Sequence, residues 1–250
     1  MLAAVCNGDA KELAELMRRY TGFKVNAAVD AYGRTLLHHA CNGDSRSAVI
    51  PLLLAHPDID VNLKNKFGST PFYCACLYGS TSCVREMLKD SRVNVNEPNH
   101  NGWTPLRCAA AFGNLGVIKV WIASGTEMDL GKPGDEKTDA IGSAMKKGET
   151  EVVTLLERFK ENPNETRHAT RLELGLPDEL AVEMFAMVVF VSDGLLQVKD
   201  TTPAARFFSI STRLPLELQM VLCCRVMGSA KEIIRGIESE AAFKNLVKKL

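Results

Sequence analysis

A repeat of about 35 residues is the feature that most constrains this chain. The same position in successive units is held by Thr35, Thr70, Thr104 and Asp139, which are 35, 34 and 35 residues apart. Two other positions keep the same steps, namely Ala40, Ala75, Ala109 and Ala144, and Leu37, Phe72, Leu106 and Ile141. Because a unit this short cannot bury its own apolar face, the units must stack, and the period predicts a solenoid.

Each unit reads as helix, turn, helix and extended loop. A Thr-Pro pair suits a helix start, since the hydroxyl caps the first turn and proline lacks only an amide that would have no partner. A glycine then suits the end of the first helix, at Gly79, Gly113 and Gly148. An aliphatic cluster forms the second helix, and a Val-Asn pair follows it. This pair recurs as Val25-Asn26, Val61-Asn62 and Val95-Asn96.

These motifs resemble the ankyrin repeat, whose glycine is followed by Thr-Pro-Leu-His. The matching segments are Gly33-Arg34-Thr35-Leu36-Leu37-His38, Gly68-Ser69-Thr70-Pro71-Phe72 and Gly102-Trp103-Thr104-Pro105-Leu106. The resemblance covers about residues 1–160 and implies an all-α ankyrin solenoid of helix-turn-helix-hairpin units, with a partial first repeat and four further repeats. It also implies that His38 is structural and bonds to the backbone of the adjacent loop.

The sequence departs from the repeat pattern at three places, and each departure leads to a structural expectation. The unit near Lys137 lacks Thr-Pro and has Gly142 at the histidine position, which indicates a modified terminal repeat. Pro51 falls inside a predicted second helix, which should begin or kink there. The chain starts inside a first helix, so the first unit is either a half-repeat that caps the solenoid or the remainder of a truncated repeat.

A polar segment with a proline, residues 161–170, predicts a linker between the repeats and a helical C-terminal module at residues 171–250. Within this module, Pro177 predicts a helix start that leads into the apolar run Met184–Val191. Further helix starts are predicted at Thr202-Pro203, Leu214-Pro215, Ser229 and Ser239.

Two interpretations of the module remain open. In the first, it is a structural cap that covers the open end of the solenoid. In the second, Leu214-Pro215-Leu216-Glu217-Leu218 resembles the opening of an F-box, although the tryptophan expected downstream is missing. That resemblance implies a substrate receptor that recruits a cullin-type ubiquitin ligase through an adaptor protein.

Charge and hydropathy restrict the partners. Lys plus Arg and Asp plus Glu are equal at 30 each, so no net field attracts nucleic acid or an anionic membrane. The chain lacks a signal-peptide pattern and an apolar stretch that could span a bilayer. We therefore expect an intracellular protein in the cytoplasm, with the nucleus left open, that is a monomer and binds neither nucleic acid nor membrane.

The sequence gives little support for a catalytic or metal-binding role. Eight cysteines allow a disulfide framework or a metal site, but their spacings suit neither, and buried reduced thiols are the better interpretation. The five histidines do not converge, and phosphate-loop, zinc-protease and nucleophile-elbow motifs are missing. We expect no cofactor, no metal and no enzymatic activity.

A stacked solenoid offers a continuous concave surface, and this surface is the expected binding site for a partner protein. The candidate residues flank the hairpin glycines and follow the first helices: Tyr32, Arg34, Phe67, Ser69, Asn101 and Trp103, with Tyr73, Tyr78, Arg107 and Phe112. Tyr32, Phe67 and Trp103 form a candidate recognition stripe, because aromatic residues often dominate interface energy. In the alternative, these aromatics pack against the next hairpin. Trp121 is expected in the core. Without a high-affinity site, the repeats would be a structural scaffold.

Overall fold

The computed structural model describes residues 1–176, 188, 189, 219, 222 and 223. The chain divides into two compact units, Met1–Thr170 and Arg171–Leu250, and most of the second lies outside the described residues. The predicted helix starts from Pro177 onward and the F-box-like segment at residues 214–218 also lie outside them.

The first unit is built from helix pairs. In chain order the helices are α1 (Leu2–Asn7), α2 (Ala10–Arg19), α3 (Leu36–Ala40), a 3-10 helix (Asp44–Val49), α4 (Ile50–Leu54), α5 (Pro71–Leu77), α6 (Thr81–Met87), α7 (Pro105–Ala111), α8 (Leu115–Ser124), α9 (Ala140–Lys147), α10 (Thr150–Glu161) and α11 (Pro163–Glu173). The described residues contain no strand, and the predicted all-α repeat solenoid is confirmed. In this part of the chain, no helix has the length and apolarity needed to cross a membrane.

The pairs stack in two layers. The first helices α1, α3, α5, α7 and α9 contact one another in sequence, and the second helices contact their counterparts in the same order. The core lies between the layers, where Leu37, Phe72 and Leu106 are fully buried. Trp121 is also fully buried, and its ring meets that of Phe72 edge to face with the centroids 5.0 Å apart. Trp121 is therefore a core residue, as the sequence predicts.

Side-chain caps begin the first helices where the Thr-Pro pattern predicts them. The capping oxygen accepts a hydrogen bond from the backbone N–H three residues later, which satisfies an amide without a helical partner. The capping distances are 3.4 Å for Thr35, 3.1 Å for Thr70, 3.3 Å for Thr104 and 2.8 Å for Asp139. Asp139 thus replaces threonine in the modified terminal repeat.

Two segments show what proline does to local structure. Pro51 lies in the first turn of α4, and the residues before it form a 3-10 helix instead of continuing the α-helix. Pro163 begins α11, so the segment predicted as a linker is largely helical. The Asn162 side chain accepts from Glu165 N at 3.3 Å, and Glu165 places an acidic group in the first turn, so this polar segment carries a complete helix start.

In the first two Val-Asn pairs, the asparagine joins its loop to the loop of the next repeat. Its side-chain amide donates to one backbone carbonyl there, and its side-chain oxygen accepts from a nearby backbone N–H. Asn26 bonds in this way to Asp58 O (2.7 Å) and Asp60 N (2.9 Å), and Asn62 bonds to Arg92 O (2.8 Å) and Asn94 N (2.8 Å). The Val-Asn signature is therefore a device that keeps adjacent loops in register.

His38 joins the first helix of one repeat to the hairpin of the next. Its Nε2 donates to Ser69 O at 3.0 Å, because a carbonyl oxygen can only accept. Its Nδ1 then accepts from Thr35 N at 3.2 Å. Burial lowers the pKa of His38, so the neutral ring is the folded form. The predicted structural role of His38 is what the geometry shows.

Replacing Asn62 with alanine removes both of its bonds to the next loop. We expect the free energy of unfolding to fall by about 1–2 kcal/mol, because two backbone groups lose a partner. Urea denaturation of Asn62→Ala measures this loss. Asn42→Ala is the matched control, since that side chain makes no hydrogen bond among the described residues, and it should change stability by less than about 0.5 kcal/mol. Equal losses in both variants would contradict the bridging role.

His38 should also make stability depend on pH. Its folded pKa is below its unfolded value, so protonation favours unfolding. The stabilisation is complete above the unfolded pKa of about 6.5 and is lost as the pH falls below it. Urea denaturation at about pH 7.5 and about pH 5.5 measures the loss, which should be smaller in His38→Gln. His39, whose pKa is also lowered by burial, is unchanged in both proteins. The same pH dependence in both proteins would exclude His38 as a cause.

Candidate functional site

One groove of about 510 Å³ runs along the hairpin tips and the end of α5. Nine of the ten residues predicted to bind a partner line it, namely Tyr32, Arg34, Phe67, Ser69, Tyr73, Tyr78, Asn101, Trp103 and Phe112. Arg107 is the exception, and it lies against the ring of Trp103. Sequence reasoning missed four lining residues, Asn65, Cys74, Leu77 and Asn99. The structure thus gathers the predicted residues from three repeats into one surface.

An Asp or Asn side chain holds each hairpin tip. The oxygen of this side chain accepts from two backbone amides of its own tip, an arrangement that fixes a tight turn. Asp30 bonds to the amides of Tyr32 (2.9 Å) and Arg34 (3.0 Å), Asn65 to Phe67 (2.9 Å) and Ser69 (3.1 Å), and Asn99 to Asn101 (2.9 Å) and Trp103 (3.0 Å). In the sequence, these turn-holding residues are recognisable as an Asp or Asn three residues before each tip glycine.

Backbone hydrogen bonds then join one tip to the next. Lys66 N donates to Tyr32 O at 3.0 Å, and His100 N donates to Phe67 O at 3.1 Å. Gly68 makes the second contact feasible. Its φ is 75°, and a Cβ added to it would lie 2.5 Å from His100 N. The tip aromatics are therefore carried on a hydrogen-bonded row of turns and not on independent loops.

Four aromatic side chains of the groove are more than half exposed. Tyr32, Phe67, Tyr78 and Phe112 have exposed fractions of 52%, 57%, 54% and 58%. They are four of the seven large apolar side chains that are exposed in the described part of the chain. Apolar exposure gathered in one place is typical of an interaction surface, whereas scattered exposure is ordinary.

The candidate recognition stripe, Tyr32, Phe67 and Trp103, has a more specific geometry than the sequence predicts. The rings of Tyr32 and Phe67 stack with centroids 5.8 Å apart and an interplanar angle of 29°. They therefore pack on the neighbouring hairpin, as in the alternative interpretation, and still keep more than half of their surface exposed. Trp103 is half-buried, and the guanidinium of Arg107 covers its ring at 4.0 Å.

Two of the predicted contact residues form the floor of the groove. Ser69 and Tyr73 are buried, and the backbone carbonyl of Ser69 is occupied by His38. The Tyr73 hydroxyl accepts from Asn99 Nδ2 at 2.9 Å and lies 2.8 Å from the Cys108 sulfur. Burial and this thiol raise the pKa of Tyr73, so the hydroxyl is protonated. These two residues support the surface and offer little area to a partner.

The two arginines differ in their pairing. Arg34 forms an ion pair with Asp30, Nε to Oδ2 at 2.5 Å, and its guanidinium lies 5.2 Å from the Tyr32 ring centroid. Burial acts to raise the pKa of Asp30, but hydrogen bonds from Arg34 and Tyr32 outweigh it and lower the pKa to about 2. Arg107 makes no ion pair with a carboxylate among the described residues.

The six cysteines within residues 1–176 are free thiols, and five of them are buried in the helical layers: Cys41, Cys74, Cys76, Cys83 and Cys108. Burial raises the pKa of Cys74, which lines the groove, to about 12, with the charge of Arg34 acting in the opposite direction. A protonated thiol is a weak nucleophile, so Cys74 acts as a small apolar side chain at neutral pH.

Stacked helix pairs with hydrogen-bonded hairpin tips define a helical-repeat solenoid. Residues 45–132 match the family model for ankyrin repeats in three copies. The chain therefore contains ankyrin repeats over residues 45–132. The ankyrin repeat is a non-enzymatic fold that generally serves protein–protein interaction.

Curated proteins share short segments with this chain. It is 47% identical over 57 residues to SMC5-SMC6 complex localization factor protein 1 of Bos taurus and, equally, of Homo sapiens, and the match covers 23% of the chain. It is 40% identical over 68 residues, 27% of the chain, to Rabankyrin-5 of Mus musculus. The matched segments cover only 5% and 6% of the length of these relatives.

The exposed aromatics of the groove should contribute little to stability. We expect Phe67→Ala to lower the free energy of unfolding by about 1 kcal/mol or less, since only a partly exposed ring stack is lost. Trp121→Ala should lower it by about 3–5 kcal/mol, because a fully buried ring leaves a cavity. Urea denaturation of the two variants measures both. A comparable loss from Phe67→Ala would show that the tip ring is part of the core.

Proposed function

We propose that this chain is a protein-interaction module whose binding site is the groove lined by the hairpin tips and α5. The observation that carries the proposal is the convergence of Tyr32, Phe67, Tyr78 and Phe112, each more than half exposed, on one concave surface. Aromatic side chains are the most frequent anchors of interfaces, and truncating one that becomes well buried costs about 2 kcal/mol or more.

The rigidity of the tips supports the same proposal. Binding by a loose loop loses affinity because the loop must be ordered when the partner arrives. Here each tip is fixed by an Asp or Asn side chain, and successive tips are joined by the hydrogen bonds of Lys66 and His100. The tip backbone that carries Tyr32, Phe67 and Trp103 is therefore held in one arrangement before any partner binds.

The oxidation state of the cysteines is relevant to the cellular compartment in which the protein works. Cysteines that remain reduced are usual where glutathione and thioredoxin act, and disulfides are usual in secreted proteins. The six cysteines within residues 1–176 are free thiols, which supports our proposal that the protein works in the cytoplasm or another reducing compartment.

Quantitative affinity purification tests the groove. A variant with Tyr32→Ala, Phe67→Ala and Phe112→Ala should lose its specific partner by at least about tenfold, because three anchors are removed together. The matched control is Tyr20→Ala with Met145→Ala, which removes two equally exposed apolar side chains that do not line the groove.

The outcomes separate the candidate functions. A protein retained by the wild type and by the control variant, but lost by the groove variant, supports the proposal. A protein retained equally by all three binds elsewhere and contradicts it. If no protein is enriched above background, the repeats are a scaffold without a high-affinity site.

A further inference from the structure

The charges around the groove restrict the chemistry of its partner. Among the residues that the structure describes, no Asp or Glu lines the groove, and Arg34 is the only charged residue in its lining. Asp30 already neutralises Arg34 from within the same hairpin. The remaining lining residues are aromatic, aliphatic or uncharged polar groups. The described lining therefore presents a partner with a largely apolar surface that contains no negatively charged side chain.

Arg107 adds a positive charge that nothing in the described part of the chain neutralises. Its guanidinium lies 4.0 Å from the centroid of Trp103, a lining residue, and it pairs with no carboxylate there. Its Nε is buried without a hydrogen-bond acceptor. Two acidic residues of the following repeat are engaged elsewhere, since Asp139 caps α9 and Glu136 pairs with Lys146.

The charge of Arg107 reaches the groove floor. Burial and the neighbouring thiol raise the pKa of Tyr73, a floor residue, and Arg107 opposes that rise. Burial raises the pKa of Cys108 beneath it, and Arg107 opposes this rise as well. Both effects mean that a negative charge at this end of the groove is stabilised by Arg107.

We propose that the groove binds an acidic peptide segment, with an apolar side chain among the exposed aromatics and an Asp or Glu carboxylate on Arg107. This inference rests on the proposed function and specifies its ligand. The planar guanidinium suits a carboxylate, because it donates two parallel hydrogen bonds. Stacking on Trp103 already restricts the orientations of the Arg107 side chain, so less conformational freedom is lost when the carboxylate binds.

A basic peptide is the alternative that exposed aromatic rings suggest, since rings attract cations. Two observations oppose it. The rings of Tyr32 and Trp103 already have a guanidinium beside them, from Arg34 and Arg107. A second cation would meet like charge there and would find no carboxylate among the described residues that line the groove.

Selection from a random peptide library displayed on phage, with the full chain immobilised, tests the proposal. Clones that bind the wild type but not Phe67→Ala with Phe112→Ala are those that use the groove. We expect these clones to share an apolar residue and an Asp or Glu at a fixed spacing. The Arg107→Gln variant should bind the corresponding synthetic peptide at least about tenfold more weakly, because a charge-assisted hydrogen bond is lost.

Two further variants keep the test decisive. Lys11→Gln removes an exposed positive charge from α2, outside the groove, and should leave affinity unchanged. Arg107→Glu should select peptides with Lys or Arg in place of the acidic residue, a gain that an unfolded variant cannot show.

The results distinguish the two proposals. Groove-dependent peptides that are neutral or basic, or that bind Arg107→Gln as tightly as the wild type, overturn the acidic-ligand inference and leave the binding function intact. If no selected peptide depends on Phe67 and Phe112, both proposals are overturned.

Discussion

Hydrogen bonds between neighbouring hairpins are the interaction on which the rest of this structure depends. A single repeat of about 35 residues has too little apolar surface to fold alone, so its neighbours must hold it in place. Helix packing supplies most of the buried area, but apolar packing alone does not fix one exact register. The asparagine bridges and the backbone bonds from Lys66 and His100 do so, because each has a defined direction and length.

Because these hydrogen bonds fix the register of the hairpins, the exposed side chains of the tips are not needed to do so. The Asp and Asn residues that shape each turn point their oxygens at their own backbone amides. The residues between them, such as Tyr32 and Phe67, are then constrained mainly in position and not in chemical type. A groove can therefore carry exposed aromatics such as these, with a positive residue such as Arg107 beside it, while the scaffold beneath stays the same.

Local rules predicted much of the fold from the sequence. The threonine caps and the buried Trp121 follow from helix-start chemistry and hydrophobic spacing, which act within one unit. The structural role of His38 follows from the resemblance to the ankyrin repeat. The helix that begins at Pro163 was not predicted, because a polar segment with a proline suits a connection as well as a helix start.

The candidate site was harder to predict, because burial is set by tertiary contacts between units. Tyr73 reads as a surface aromatic, yet the Asn99 amide and the Cys108 thiol enclose its hydroxyl from the next repeat. Tyr32 and Phe67 could be assigned to the tips, but their stacking depends on the distance between two hairpins. The pairing of Arg34, and the lack of a carboxylate partner for Arg107 among the described residues, likewise depend on which acidic groups lie nearby. Repeat spacing alone does not determine this.

Amide hydrogen exchange at the hairpin tips tests most directly whether the groove is preformed. The Lys66 and His100 amides donate to the preceding tip, whereas the amide of Glu127, an exposed loop residue, has no hydrogen bond among the described residues. Our account predicts that Lys66 and His100 are protected nearly as well as amides inside α5 and α7, and that Glu127 exchanges rapidly. Equally rapid exchange at Lys66, His100 and Glu127 would show that the tips move independently, and would contradict a groove that is fixed before its partner binds.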